Sequence, residues 1–159
     1  MPVKIYDGSA VANEGFLYIL GGDGPAAFWS TFLRYDSVAK EWQQLHDLVR
    51  KRSFAKLAVF DNQKSIVACG GANQHATSVP FCDAYSIRDD KWSKLANMNY
   101  WRVHHALVNL NDELFAIGGW NEHFGALNTT EKLEGERKRW VQIEAKLPEG
   151  RMHFGAVIY

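Results

Sequence analysis

The stretch Leu57-Ala58-Val59-Phe60-Asp61-Asn62-Gln63-Lys64-Ser65-Ile66-Val67-Ala68-Cys69-Gly70-Gly71 holds the unit from which the chain is built. Two apolar runs, Leu57 to Phe60 and Ile66 to Cys69, flank a polar connection, and the second closes on a glycine pair. Runs this short suit strands covered on both faces better than helices. Asp and Asn in the connection tolerate positive φ or bond their own backbone, which favours a tight hairpin. The glycine pair lets the chain turn where a Cβ would clash or demand positive φ.

The same unit appears on both sides. Upstream, Ser9-Ala10-Val11-Ala12 and Asn13-Glu14-Gly15 lead to Phe16-Leu17-Tyr18-Ile19-Leu20 and the pair Gly21-Gly22. Downstream, Ala106 to Leu110 and Asn111-Asp112 lead to Leu114 to Ile117 and the pair Gly118-Gly119. The pairs stand 49 and 48 residues apart, Trp42, Trp92 and Trp140 stand 50 and 48 apart, and Arg52, Arg102 and Arg151 stand 50 and 49 apart. Three independent marks on one period of about fifty residues define a repeat array. Third strands read at Phe32 to Asp36 and Asp83 to Ile87, and a fourth surrounds each tryptophan, with turns at Ser37 to Lys40 and Arg88 to Lys91. Each unit is four antiparallel strands.

The glycine pairs belong to a wider pattern. Tyr35-Asp36 has a weaker echo in Tyr85-Ser86. Leu45, Leu95 and Ile143 follow the tryptophans by three residues, and Leu48, Met98 and Leu147 precede the arginines by four. Together these marks resemble the kelch repeat, across essentially the whole chain. The third repeat departs from the pattern with Leu133-Glu134, which puts its third-strand turn in doubt. The resemblance implies an all-β fold, a partial kelch-type β-propeller whose blades stack around a channel. The expected blades cover 6–48, 52–98 and 102–147 of one domain, 1–159, and 151–159 reads as the first strand of a fourth. The tryptophans are expected in the gaps between blades, where a large ring buries area while its N–H finds a partner. Closed propellers have roughly four to eight blades, so three leave two apolar faces open. The chain is then part of a longer kelch protein, half of a six-bladed ring made with a second copy, or an open arc.

Lys plus Arg equals Asp plus Glu, 18 against 18, so no basic face marks a nucleic-acid partner. No charged-then-apolar leader is visible and Phe16 to Leu20 is far too short to span a bilayer, so no membrane role is expected. Two cysteines make no disulfide framework. Cys69 is expected as a packed thiol in a buried strand and Cys82 at a strand start, in keeping with a reduced, cytoplasmic compartment.

No catalytic constellation emerges. His104-His105 and Asn121-Glu122-His123 carry metal-ligating groups, but adjacent strand residues point to opposite faces, so no metal or cofactor is expected. The glycine pairs lead to strands rather than to a helix N-terminus, which excludes a phosphate cradle. Arg52, Arg102 and Arg151 sit between one blade and the next. They serve either as structural donors to backbone carbonyls or as cationic forks around the channel mouth, suited to carboxylates of a partner. The individual loops after the glycine pairs carry Trp29, His75, Trp120 and His123, of which the aromatics are typical anchors for a partner or covers for a blade edge. The leading expectation is a non-enzymatic module that binds a protein or peptide. From the resemblance, that module is the substrate-reading part of a cullin-type ubiquitin ligase adaptor, whose BTB and BACK domains are not in these residues, or an actin-binding array. The rival reading is a propeller enzyme, a copper oxidase or an enzyme acting on sugars or small metabolites.

Overall fold

The computed structural model of the chain describes residues 2, 4–21, 30–135 and 139–156, so Gly22 and Trp29 lie outside the described residues. Three four-stranded antiparallel meanders follow one another. Blade 1 comprises β1 (Ser9–Asn13), β2 (Phe16–Leu20), β3 (Phe32–Asp36) and β4 (Glu41–Gln44). Blade 2 comprises β5 (Lys56–Phe60), β6 (Ser65–Cys69), β7 (Cys82–Ser86) and β8 (Lys91–Leu95). Blade 3 begins with β9 (Ala106–Leu110) and β10 (Glu113–Ile117) and adds a ribbon, β11 (Trp120–Asn121) with β12 (Gly125–Ala126). It ends with β13 (Thr130–Glu134) and β14 (Arg139–Gln142). The third strand of this blade pairs with the fourth, Leu133 opposite Trp140, and the turn in doubt includes residues 136–138, which lie outside the described residues.

The polar connections make the hairpins as their chemistry requires. Glu14, Asp61, Asn62, Gln63, Asn111 and Asp112 all take positive φ, between 47° and 65°. These turns also tie the blades together at that end of the array. Asn13 Nδ2 donates to the Gln63 carbonyl at 3.0 Å, and the Asn62 N–H donates to Asp112 Oδ1 at 3.1 Å. The first strands β1, β5 and β9 lie side by side, with Asn109 Nδ2 donating to the Val59 carbonyl at 2.8 Å.

The core lies between blades rather than within them. Tyr18, Leu20, Phe32, Leu45 and Leu48 of blade 1 pack on Leu57, Ile66, Ala68 and Tyr85 of blade 2. Val67, Cys69, Cys82 and Met98 of blade 2 pack on Leu107, Leu114, Ala116 and Trp140 of blade 3. A single sheet has two apolar faces and can cover them only against neighbours; each large side chain so buried contributes on the order of 1.5–3 kcal/mol. The tryptophans bridge these gaps. Trp140 is 4% exposed and donates Nε1–H to the Ala96 carbonyl at 2.9 Å. Trp92 donates to the His46 carbonyl at 2.8 Å and meets Phe32 edge-on. Trp42, in blade 1, is half-buried against Tyr35.

The glycine pairs mark where the chain entering the next blade crosses the end of the second strand. At Gly70, φ is 64° and a Cβ would stand 2.5 Å from the Arg102 carbonyl oxygen. At Gly119, φ is 97° and a Cβ would stand 2.7 Å from the Val103 carbonyl oxygen. The neighbouring N–H groups use that proximity: Gly71 donates to the Arg102 carbonyl at 3.0 Å and Gly119 to the Arg151 carbonyl at 2.7 Å. Arg151 is therefore seated on blade 3 as Arg102 is on blade 2, although residues 151–156 form no strand.

One expectation is corrected. Cys69 and Cys82 are not free thiols; they face each other across β6 and β7 and form a disulfide, with both residues fully buried. The cysteines therefore lend no support to a reduced compartment. Among the described residues no helix is long and apolar enough to cross a membrane.

Candidate protein-binding site

Antiparallel alternation places the loops after the glycine pairs and the connections between blades at one end of the array. The hairpin turns described above occupy the other. Three of the predicted site residues, His75, Trp120 and His123, are on the glycine-pair end.

Two loops there are shaped by buried or half-buried asparagines. Asn73 Oδ1 accepts from the His75 and Thr77 N–H groups at 2.9 and 3.2 Å. Asn121, fully buried, does the same for His123 and Phe124 at 3.1 and 2.8 Å, while its Nδ2 donates to the Trp101 carbonyl at 2.9 Å. Short amide side chains favour such local turns. The two loops are joined across blades, because Ser78 donates its hydroxyl and its N–H to Glu122 Oε2. His75 and His123 are exposed at the loop tips, and Trp120 is half-buried, held by paired backbone bonds to Val103 at 2.9 Å each. Phe124 is 56% exposed, with its ring 4.6 Å from His123.

Between the loops runs a cleft of ≈ 320 Å³ whose walls include Phe54, His104 and Trp120. Phe54 and His104 belong to a series that the sequence reading did not single out. Asp7, Phe54 and His104 occupy equivalent positions at the entry to β1, β5 and β9, His153 holds the corresponding place after Arg151, and all have left-handed backbones, φ 51° to 57°. Their rings touch from blade to blade: Phe54 meets His104 at 4.7 Å between centroids, and His104 stacks on His153 at 3.7 Å. Desolvation, with His153 and Lys56 close by, holds the His104 imidazole below its usual pKa. His105, the next residue, points the other way and is fully buried, with burial and Arg102 driving its pKa well below the usual value. The signal was present in the spacing, since Phe54, His104 and His153 each follow a periodic arginine by two residues.

Of the two readings of the arginines, the structural one fits Arg52 and Arg102, and the partner-binding one is corrected for those two. Arg52 and Arg102 are 0% exposed, so they are not cationic forks at a mouth. Arg52 donates to the Gly70, Ala68 and Arg50 carbonyls at 2.8 to 2.9 Å and pairs with Asp83 at 2.7 Å. Arg102 donates to the Gly118 carbonyl at 2.7 Å and pairs with Glu131 at 2.8 Å. Burial lowers both guanidinium pKa values, and the facing carboxylates oppose that shift. Asp83 and Glu131 went unnoticed in the sequence although each follows the first glycine of its pair by 13 residues. Asp83, one methylene shorter, leaves room for Arg50, whose Nη2 reaches it at 2.6 Å; Glu131 instead accepts from the Asn99 and Tyr100 N–H groups at 2.7 and 3.0 Å. Arg151 differs in being exposed, and pairs with Glu149 at 3.0 Å. Among the described residues no group of three or more His, Cys, Asp or Glu is placed to hold a metal ion.

No protein-family model matches the chain. Its curated relatives include the Kelch repeat and BTB domain-containing protein F47D12.7 of Caenorhabditis elegans, 29% identical over 121 residues that cover 74% of this chain and 21% of that protein. Alpha-scruin of Limulus polyphemus is 29% identical over 160 residues, covering 93% of this chain and 17% of that protein. Kelch-like protein 40 of Xenopus laevis is 28% identical over 152 residues, covering 90% and 24%. The chain thus spans 17 to 24% of the length of these relatives. Among solved structures, that of YjhT superposes with a TM-score of 0.77 at 15% identity, over 95% of this chain and 54% of that one, which supports the shared fold. Periodic glycine pairs, tryptophans bridging successive blades and relatives named for the same repeat agree: the chain has the fold of a partial kelch-type β-propeller and is similar to kelch-repeat proteins.

Proposed function

We propose that the chain is a non-enzymatic interaction module that holds a protein or peptide on its glycine-pair end, with Trp120, His75 and His123 among the contact residues. The observation that carries the reading is the pair of loops 73–78 and 120–124, locked to each other through Ser78 and Glu122 around an aromatic-walled cleft. Recognition residues on loops held by a rigid scaffold are a common arrangement for partner binding. Its kelch-named relatives favour a protein partner. A substrate-reading role in a cullin-type adaptor and an actin-binding role would both use this module, and so would a cytoplasmic setting. The free faces of blades 1 and 3 are read as surfaces for a further blade, from a longer chain or a second copy.

The test is a selection of peptides from a displayed random library on the immobilised chain, followed by affinity measurement for each selected sequence. Trp120→Ala with His123→Ala is expected to weaken the selected peptides by about tenfold or more, as for loss of anchor residues, with the circular dichroism spectrum unchanged. Selected peptides whose affinity ignores that pair would place recognition elsewhere.

A further inference from the structure

We infer that the cleft between blades 2 and 3 is a receptor for one aromatic side chain of a bound peptide, a proposal that rests on the protein-binding reading above. The walls that matter are Phe54, His104 and Trp120, contributed by three separate segments. Aromatic rings pack on one another edge-on or offset, a gain beyond the area buried.

Several polar groups of the cleft are already committed within the protein. Asn73 Oδ1 accepts from two N–H groups of its own loop, and the Ser78 hydroxyl and N–H both go to Glu122. The Gln74 amide meets the His75 ring at 3.2 Å. What the walls offer beside these is mainly apolar surface, the rings of Phe54, His104 and Trp120 with Ala72, Ala76 and Val103. Among the described residues, His104 is the one acidic or basic side chain that lines the cleft, and the neighbouring Glu122 carboxylate is engaged by Ser78. A charged group entering would lose its water without gaining a free counter-charge from the cleft walls, whereas an aromatic ring meets no such penalty.

Size points the same way. At ≈ 320 Å³ the cleft is at the lower end of the range of ligand sites, roughly 300–1,000 Å³, which suits one ring rather than an extended ligand. Phe54 and His104 also hold left-handed backbones, φ 57° and 52°. That conformation is strained for a residue with a Cβ and free to glycine, so the rings stand at positions that local backbone preference alone would give to glycine.

The experiment is an amide NMR titration of the full chain with three probes: N-acetyl-tryptophanamide, N-acetyl-leucinamide and N-acetyl-lysinamide. The expected result is that the aromatic probe shifts the Trp120 indole and the amides of residues 73–78, with an affinity about tenfold above the leucine probe. The lysine probe is expected to produce no shift there. Phe54→Gly keeps the left-handed backbone and removes the ring; it is expected to weaken the aromatic probe about tenfold while amides away from the cleft stay in place. Equal binding of leucine or lysine, shifts confined to other regions, or indifference to Phe54→Gly would overturn the proposal. Library-selected peptides that depend on Trp120 and His123 yet need no aromatic residue would also overturn it and leave the protein-binding reading standing. Selected peptides that ignore Trp120 and His123 would remove that reading itself.

Discussion

Replacing Glu131 by leucine removes one end of a pair in which both side chains are 0% exposed. Glu131 accepts from Arg102 at 2.8 Å, from the Asn99 and Tyr100 N–H groups at 2.7 and 3.0 Å, and from Asn99 Nδ2 at 2.8 Å. Leucine can accept none of these, and the guanidinium is left buried without a counter-ion. Breaking a buried pair from one side costs about 3–5 kcal/mol, a large fraction of the roughly 5–15 kcal/mol that holds a typical domain together. Blade 1 shows how the penalty is avoided. At the positions equivalent to Arg102 and Glu131 it carries Ile5 and Leu33, both apolar. Glu131→Leu combined with Arg102→Leu is therefore expected to be more stable than Glu131→Leu alone, with a coupling of about 1–3 kcal/mol. Urea denaturation followed by tryptophan fluorescence measures both quantities. A loss under about 1 kcal/mol for the single variant, or a double variant no better than the sum of its parts, would refute the reasoning.

Trp140→Ala is expected to cost about 3–5 kcal/mol, because the ring is 4% exposed between blades; Trp92→Ala, half-buried in its gap, less; and Trp42→Ala, half-buried against Tyr35 of its own blade, under about 1 kcal/mol. Equal losses at the three sites in the same denaturation assay would deny that the tryptophans work between blades. His105 should make stability fall in acid. Its folded pKa is depressed well below 6.5 by burial and by Arg102, so below pH 6.5 the unfolded chain takes up a proton that the folded chain does not. Stability then drops with falling pH by up to about 1.4 kcal/mol per pH unit for that proton. His105→Ala, which copies Ala55 at the equivalent position of blade 2, should flatten the curve between pH 6.5 and 5; an unchanged slope would assign the acid sensitivity to other groups.

The repeat was legible because glycine pairs, tryptophans and arginines answer to backbone crossings and blade gaps that recur with each unit. The hairpins were legible for the same reason, since Asp61-Asn62 and Asn111-Asp112 state their turn chemistry locally. What the sequence concealed depends on contacts between distant residues. Nothing at Arg52 or Arg102 announces burial; it follows from Asp83 and Glu131, 31 and 29 residues on. Cys69 and Cys82 are 13 residues apart and become neighbours only through the register of β6 with β7. The left-handed series Phe54, His104 and His153 escaped notice because no residue type marks it, only its distance from each arginine. The ribbon of β11 and β12 hid in a loop whose asparagine, Asn121, resembles any other surface residue until it is seen to be buried.

The most direct test of the account is an amide NMR footprint of a library-selected peptide on the full chain. The account predicts shifts concentrated at residues 73–78, 120–124, Phe54 and His104, on the glycine-pair end of blades 2 and 3. A footprint centred on the hairpin turns at 13–16, 61–64 and 110–113, with the cleft unaffected, would contradict it.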